Sequence, residues 1–140
     1  MRFDLRADTE LLRVQVRTEI DYQVGCARAL FVTLSRGQEA VYSIKRQEAL
    51  LIAADRQQGV NVPEDETPHV TAEAADDGVS RFEKAVEILT RDRHWANGSA
   101  MIESLRRRAK AALATATTPS EIRAAAVIDW QNVEDYARTL

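Results

Sequence analysis

The chain has little of what stabilises very small or secreted folds, and nothing that marks most chemical sites. It has one cysteine, Cys26, so no internal disulfide can form and nothing signals an oxidising compartment. Cys26 lies between Gly25 and Ala27 in a helical pattern, where a small buried apolar residue is expected. Gly and Pro number only 5 and 3, which argues against a turn-rich β architecture. Aromatics make up 6%. No run approaches the roughly 20 apolar residues of a membrane span, and no apolar stretch follows Arg2 and Arg6 as a signal peptide requires, so neither membrane association nor export is expected. The two histidines, His69 and His94, form no His-x3-His or His-Glu-x-x-His pattern, and Cys-x-x-Cys is absent. The single, scattered glycines build no phosphate loop, and Gly-x-Ser-x-Gly is missing. The expectation is therefore no enzyme, no metal and no cofactor. His69, after Pro68, is expected to be solvated, and His94 to have no ligand role.

What is present favours helix. The chain of 140 residues is rich in Ala, the best helix former because it loses no side-chain entropy. At 45% apolar and 29% charged it has an ordinary globular balance, enough to bury a core. Residues 1–8 read as an N-terminal arm. Leu12, Val16, Ile20, Ala27, Phe31 and Leu34 then recur at helical spacing, interrupted by Gln23, and predict a helix over about 9–34. Gly25 inside it suggests a close contact or a bend. A turn at Ser35-Arg36-Gly37-Gln38 leads to a second helix, to about residue 56, with Val41, Ile44, Leu51 and Ile52 on its apolar face. So short a connection predicts an antiparallel helical hairpin over 9–56.

Residues 57–79 hold Gly59, Pro63, Pro68 and Gly78 with Glu64, Asp65, Glu66, Glu73, Asp76 and Asp77, and no Lys or Arg. They read as a long acidic loop with at most one helical turn near residues 70–75. Order restarts at Ser80, whose pairing with Glu83 is a capping box. A long helix follows to about Thr115, with Asn97-Gly98 as the place where it would kink or break. Thr118-Pro119-Ser120-Glu121 starts a short helix, Val127 to Trp130 reads as extended, and a last helical turn or two covers Val133 to Arg138. The expected fold is all-α in one domain: arm, hairpin, acidic loop, then a long helix plus short C-terminal helices over 80–140.

Net charge is -3, unlike a dedicated nucleic-acid binder. The best basic patch is Arg106-Arg107-Arg108 with Lys110. Consecutive helical residues point in different directions, so the run is not one stripe, and pairing within the protein or with a protein partner is favoured over phosphate binding. Trp95 and Trp130 are expected to pack between helices, with an interface role as the second reading, since Trp, Tyr and Arg dominate interface energetics. Arg far outnumbers Lys, which suits interface ion pairs. The candidate interface residues are Trp95, Trp130, Tyr42, Arg106, Arg107 and Arg108.

Ile20-Asp21, Gly25-Cys26-Ala27-Arg28 and Gly37-Gln38-Glu39-Ala40-Val41-Tyr42, with Lys45 and Glu48-Ala49, resemble a helical domain encoded by many tailed phages and prophages. Ile88-Leu89, Trp95, Ile102, Arg107 to Lys110, Ala111-Ala112, Ala116 to Pro119, Val127 and Trp130 are similar to its second half. The resemblance covers about residues 20–130 and carries no active-site motif. It implies a tail-associated structural protein of the virion, assembled in the host cytoplasm, with other tail proteins and copies of itself as partners. Two alternatives stand beside it: a small helical nucleic-acid-binding or regulatory protein, and a tail assembly chaperone not retained in the virion. The middle segment is more acidic than the family pattern, and no large fibre portion is expected ahead of the domain.

Overall fold

The computed structural model describes residues 5–32 and 38–140, and its regular structure is all helical. The helices are α1 (Leu5–Ala29), α2 (Gln38–Ala54), α3 (Pro68–Asp77), α4 (Arg81–Thr115), α5 (Pro119–Ala124) and α6 (Gln131–Ala137). A 3-10 turn at Glu64–Glu66 precedes α3. Two helices, a long helix and short C-terminal helices thus follow one another in the expected order. The Ser35–Gly37 turn of the expected hairpin lies outside the described residues, as do residues 1–4 of the arm. The rest of the arm differs from expectation: helix begins at Leu5, ahead of Asp8, which falls in the first turn where an acid is favourable.

The chain divides into two compact units, residues 1–33 with 97–140 and residues 34–96. In the first unit, Val16, Ile20, Val24 and Ala27 line one side of α1 and are buried, as are Ile102, Ala109, Leu113, Ile122 and Val133. Arg13 donates from Nη1 to the Leu113 carbonyl at 2.7 Å and from Nη2 to that of Ala116, satisfying acceptors that the end of α4 leaves unpaired. Gln23, the polar break in the apolar spacing, is a bridge. Its amide donates to the Ala126 carbonyl at 2.8 Å and its oxygen accepts from Trp130 Nε1 at 2.8 Å. The α5 start is as expected: Thr118 Oγ1 accepts from Glu121 N at 3.1 Å, with Pro119 behind the cap.

Helix α4 does not break at Gly98. A Cβ there would lie 2.4 Å from two ring carbons of Phe31, so glycine makes room for the ring against the helix backbone. Phe31 also meets Tyr136, ring centroids 6.1 Å apart.

In the second unit, Ala49, Ile52, Val70 and Ala85 form the buried core, with Phe82, Ile88 and Leu89 packed against it. The expected acidic loop over 57–79 is corrected, because it carries the ten-residue helix α3. Val70 and Ala74, one turn apart, give this helix its buried side, and Gly78 ends it in the left-handed conformation at φ 67°. Two of its three acids have cationic partners from other helices: Glu73 meets Lys45 at 2.6 Å, and Asp77 meets Lys84. Residues 55–62 are tied as well. Asp55 accepts from Gly59 N at 2.9 Å and from Asn61 N at 3.2 Å, and Arg81 donates to the carbonyls of Gly59 and Val62 at 2.6 and 2.7 Å. The expected capping box is present, with Glu83 N donating to Ser80 Oγ at 3.0 Å and Ser80 N to Glu83 at 3.4 Å.

Candidate functional site

The candidate interface residues divide between the units: Trp130 and Arg106 to Arg108 belong to the first, Tyr42 and Trp95 to the second. In the first unit the basic run is largely committed. Arg106 Nε donates to Glu103 Oε2 at 3.0 Å, and Arg28 stands 3.9 Å from the same carboxylate. The hydrogen bond from Arg106 holds the Glu103 carboxyl below the usual range. Lys110 pairs with Asp21 at 2.7 Å. Arg108 turns the other way and donates to Ser104 Oγ at 3.1 Å, while Arg107 is exposed. The run therefore presents no continuous stripe for a phosphate backbone. Trp130 is half-buried, with its N–H on Gln23.

In the second unit Trp95 is half-buried on α4. Tyr42 is exposed, with Lys45 Nζ 5.5 Å from its ring centroid. The most constrained polar group there was not anticipated. Glu48, on α2, is buried, and its carboxylate accepts from His69 N at 2.8 Å and Val70 N at 3.2 Å. It thus caps the first turn of α3, whose own N-cap residue, Thr67, makes no side-chain capping bond. Its second oxygen lies 2.8 Å from His69 Nδ1, so His69 is half-buried and engaged rather than solvated. This arrangement is a structural clamp: one carboxylate oxygen is taken by backbone donors and the other by the His69 ring. Lys84 is a second such tie. Only 5% of its side chain is exposed, and Nζ reaches Asp77 and Glu87, the latter at 2.8 Å.

Among the described residues no three His, Cys, Asp or Glu stand together as metal ligands, and no helix is long and apolar enough to cross a membrane. A cleft of about 300 Å³ between α1 and α5 is lined by Asp8, Thr9, Leu11, Leu12, Gln15, Pro119 and Arg123, a set with no nucleophile–base pair.

The features with most capacity for recognition are helix faces. On α1, Leu11, Val14 and Tyr22 are 57%, 52% and 67% exposed, on the side opposite the buried residues. On α2, Ile44, Leu50 and Leu51 are exposed, also away from the core. Cys26 is exposed near the outward side of α1, contrary to the expectation of burial, because the inward positions are taken by Val24 and Ala27. On α1 the sequence stripe picked out the inward Val16, Ile20 and Ala27 but not Val24, and it gave no means of telling that Leu11, Val14 and Tyr22 lack a cover. On α2 the expected apolar face is corrected: Val41, Ile44 and Leu51 are exposed, because the buried side runs through Glu48, Ala49 and Ile52. Comparison with protein-family models, with curated proteins and with solved structures yields no match.

Proposed function

We propose that this chain is a tail-associated structural protein of a phage or prophage, acting by protein–protein assembly in the virion after folding in the host cytoplasm. The observation that carries the reading is the outward apolar face of α1, which the chain leaves open to solvent. Exposed apolar surface of this kind marks interaction sites. The resemblance of residues 20–130 to a phage tail domain supplies the setting. The partners are other tail proteins and further copies of the chain, as symmetric assembly favours.

Commitment of Arg106 and Lys110 to ion pairs weighs against the nucleic-acid reading. Mass spectrometry of purified particles tests the proposal: peptides of this chain are expected in constant ratio to the other tail proteins. Their absence from particles, together with recovery on tail assembly intermediates, would replace the virion part by an assembly chaperone.

A further inference from the structure

We infer that α1 is a self-recognition helix: two copies of the chain pair through the outward faces of their α1 helices, running antiparallel and centred near Glu19. The inference names a first partner for the assembly reading and rests on that reading for its biological sense. Its tests, made on purified protein in solution, fail independently of the particle test.

The outward face follows steps of three and four residues through Leu11, Val14, Thr18, Tyr22, Gly25 and Ala29, all exposed, on the side of the helix away from Val16, Ile20, Val24 and Ala27. At 1.5 Å per residue it is about 27 Å long. Gly25 lies on it, toward its C-terminal end. A Cβ at Gly25 would meet nothing within 4 Å, so neither packing nor backbone strain within the chain calls for glycine there. Glycine in a helix interior nevertheless costs stability relative to Ala. Close approach of a second helix gives it a use.

Charge selects the occupant and its direction. Glu10, Arg17, Asp21 and Arg28 flank one edge of the face. In an antiparallel pair centred on Glu19, each position i meets position 38 − i of the other copy. Glu10 then faces Arg28 of the second copy, and Arg17 faces its Asp21. The two-fold axis repeats both pairs, so all four contacts along that edge are attractive. In a parallel pair this edge instead meets the opposite one, which carries Asp8 and Glu19, setting acid against acid at Asp8–Glu10 and Glu19–Asp21 with Arg17–Glu19 as its one attraction. The antiparallel arrangement has one like-charge contact, Glu19 with its own copy, and Gln23 Nε2 donates to Glu19 at 3.1 Å. Glu10, Asp21 and Arg28 have partners within the chain, yet their side chains remain 72%, 62% and 54% exposed and can accept another. Charge pairs of this kind add little affinity each, but they fix register and orientation.

Cysteine cross-linking of the full chain in a Cys26→Ser background tests both pairing and direction. Thr18→Cys is expected to give a disulfide-linked dimer on mild oxidation, because residue 18 lies within a residue of the axis. Leu11→Cys is expected to stay monomeric, because the two copies of residue 11 are about 24 Å apart along the helix. Efficient cross-linking of Leu11→Cys means a parallel pair and overturns the inference, as does failure of Thr18→Cys to cross-link. Light scattering of the unmodified chain should show a dimer. Arg17→Glu should weaken the dimer about tenfold, since it reverses both symmetric Arg17–Asp21 contacts. Adding Asp21→Arg to it should recover most of the loss, with circular dichroism confirming that both variants fold. A dimer indifferent to Arg17→Glu overturns the inference, and so does a monomer.

Discussion

Two glycines within helices make opposite demands. At Gly98 the Phe31 ring occupies the space of a Cβ, whereas at Gly25 that space is empty. Gly98→Ala gains up to about 1 kcal/mol in helix propensity but forces Phe31 away, and overpacking of this kind costs about 1–3 kcal/mol. A lower urea midpoint is expected. Gly25→Ala, measured where the protein is monomeric, is expected to raise the midpoint, by about 0.5–1 kcal/mol of stability. The sequence marked both glycines as irregularities, a close contact or a bend at Gly25 and a kink or break at Gly98, yet α4 runs unbroken through Gly98. A glycine's meaning depends on what approaches it from elsewhere in the chain, and local spacing does not carry that. Gln23 was opaque for the same reason, since the two partners it bridges, Ala126 and Trp130, are more than a hundred positions away.

Helices whose signals are local were legible. The caps at Ser80 and Thr118 lie next to the turns they close, and both helix starts fall where the motifs place them. Helix α3 was not legible, because its N-terminal cap comes from α2 and its acids look like those of a solvated loop. Glu48 stands 21 positions from His69, with no spacing rule linking them. Its role gives a sharp expectation. Glu48→Ala leaves the N–H groups of His69 and Val70 without their charged acceptor, and hydrogen bonds to a charged group contribute about 1.5–3 kcal/mol. The variant should lose about that much stability, with increased amide exchange concentrated in residues 68–77. Loss of stability with α3 exchange unchanged would show that the cap is not what holds the helix.

At the scale of the whole chain, both units contain carboxylates held below their ordinary pKa. Lys84 lowers Asp77 and Glu87, hydrogen bonds from Asn61 lower Asp55, and Arg106 lowers Glu103. A lowered folded-state pKa contributes stability that is complete above the unfolded value, about 4, and is lost as pH falls through the folded value. The thermal midpoint should therefore be level from neutral pH to about 5 and fall below 4. Lys84→Met should flatten part of that slope by removing the partner of two of these acids. A midpoint that holds level to pH 2.5 would contradict the linkage.

The division of the chain also orders events in time. Residues 34–96 form a unit that is continuous in sequence, whereas the other unit joins residues 1–33 to residues 97–140. Contacts between near neighbours form fast, and closing a long intervening stretch is slow. As the chain leaves the ribosome, the inserted unit can complete itself while α1, made first, still lacks the segments that cover its inward side. Until the last third emerges, α1 is a nascent amphipathic helix with both apolar faces bare.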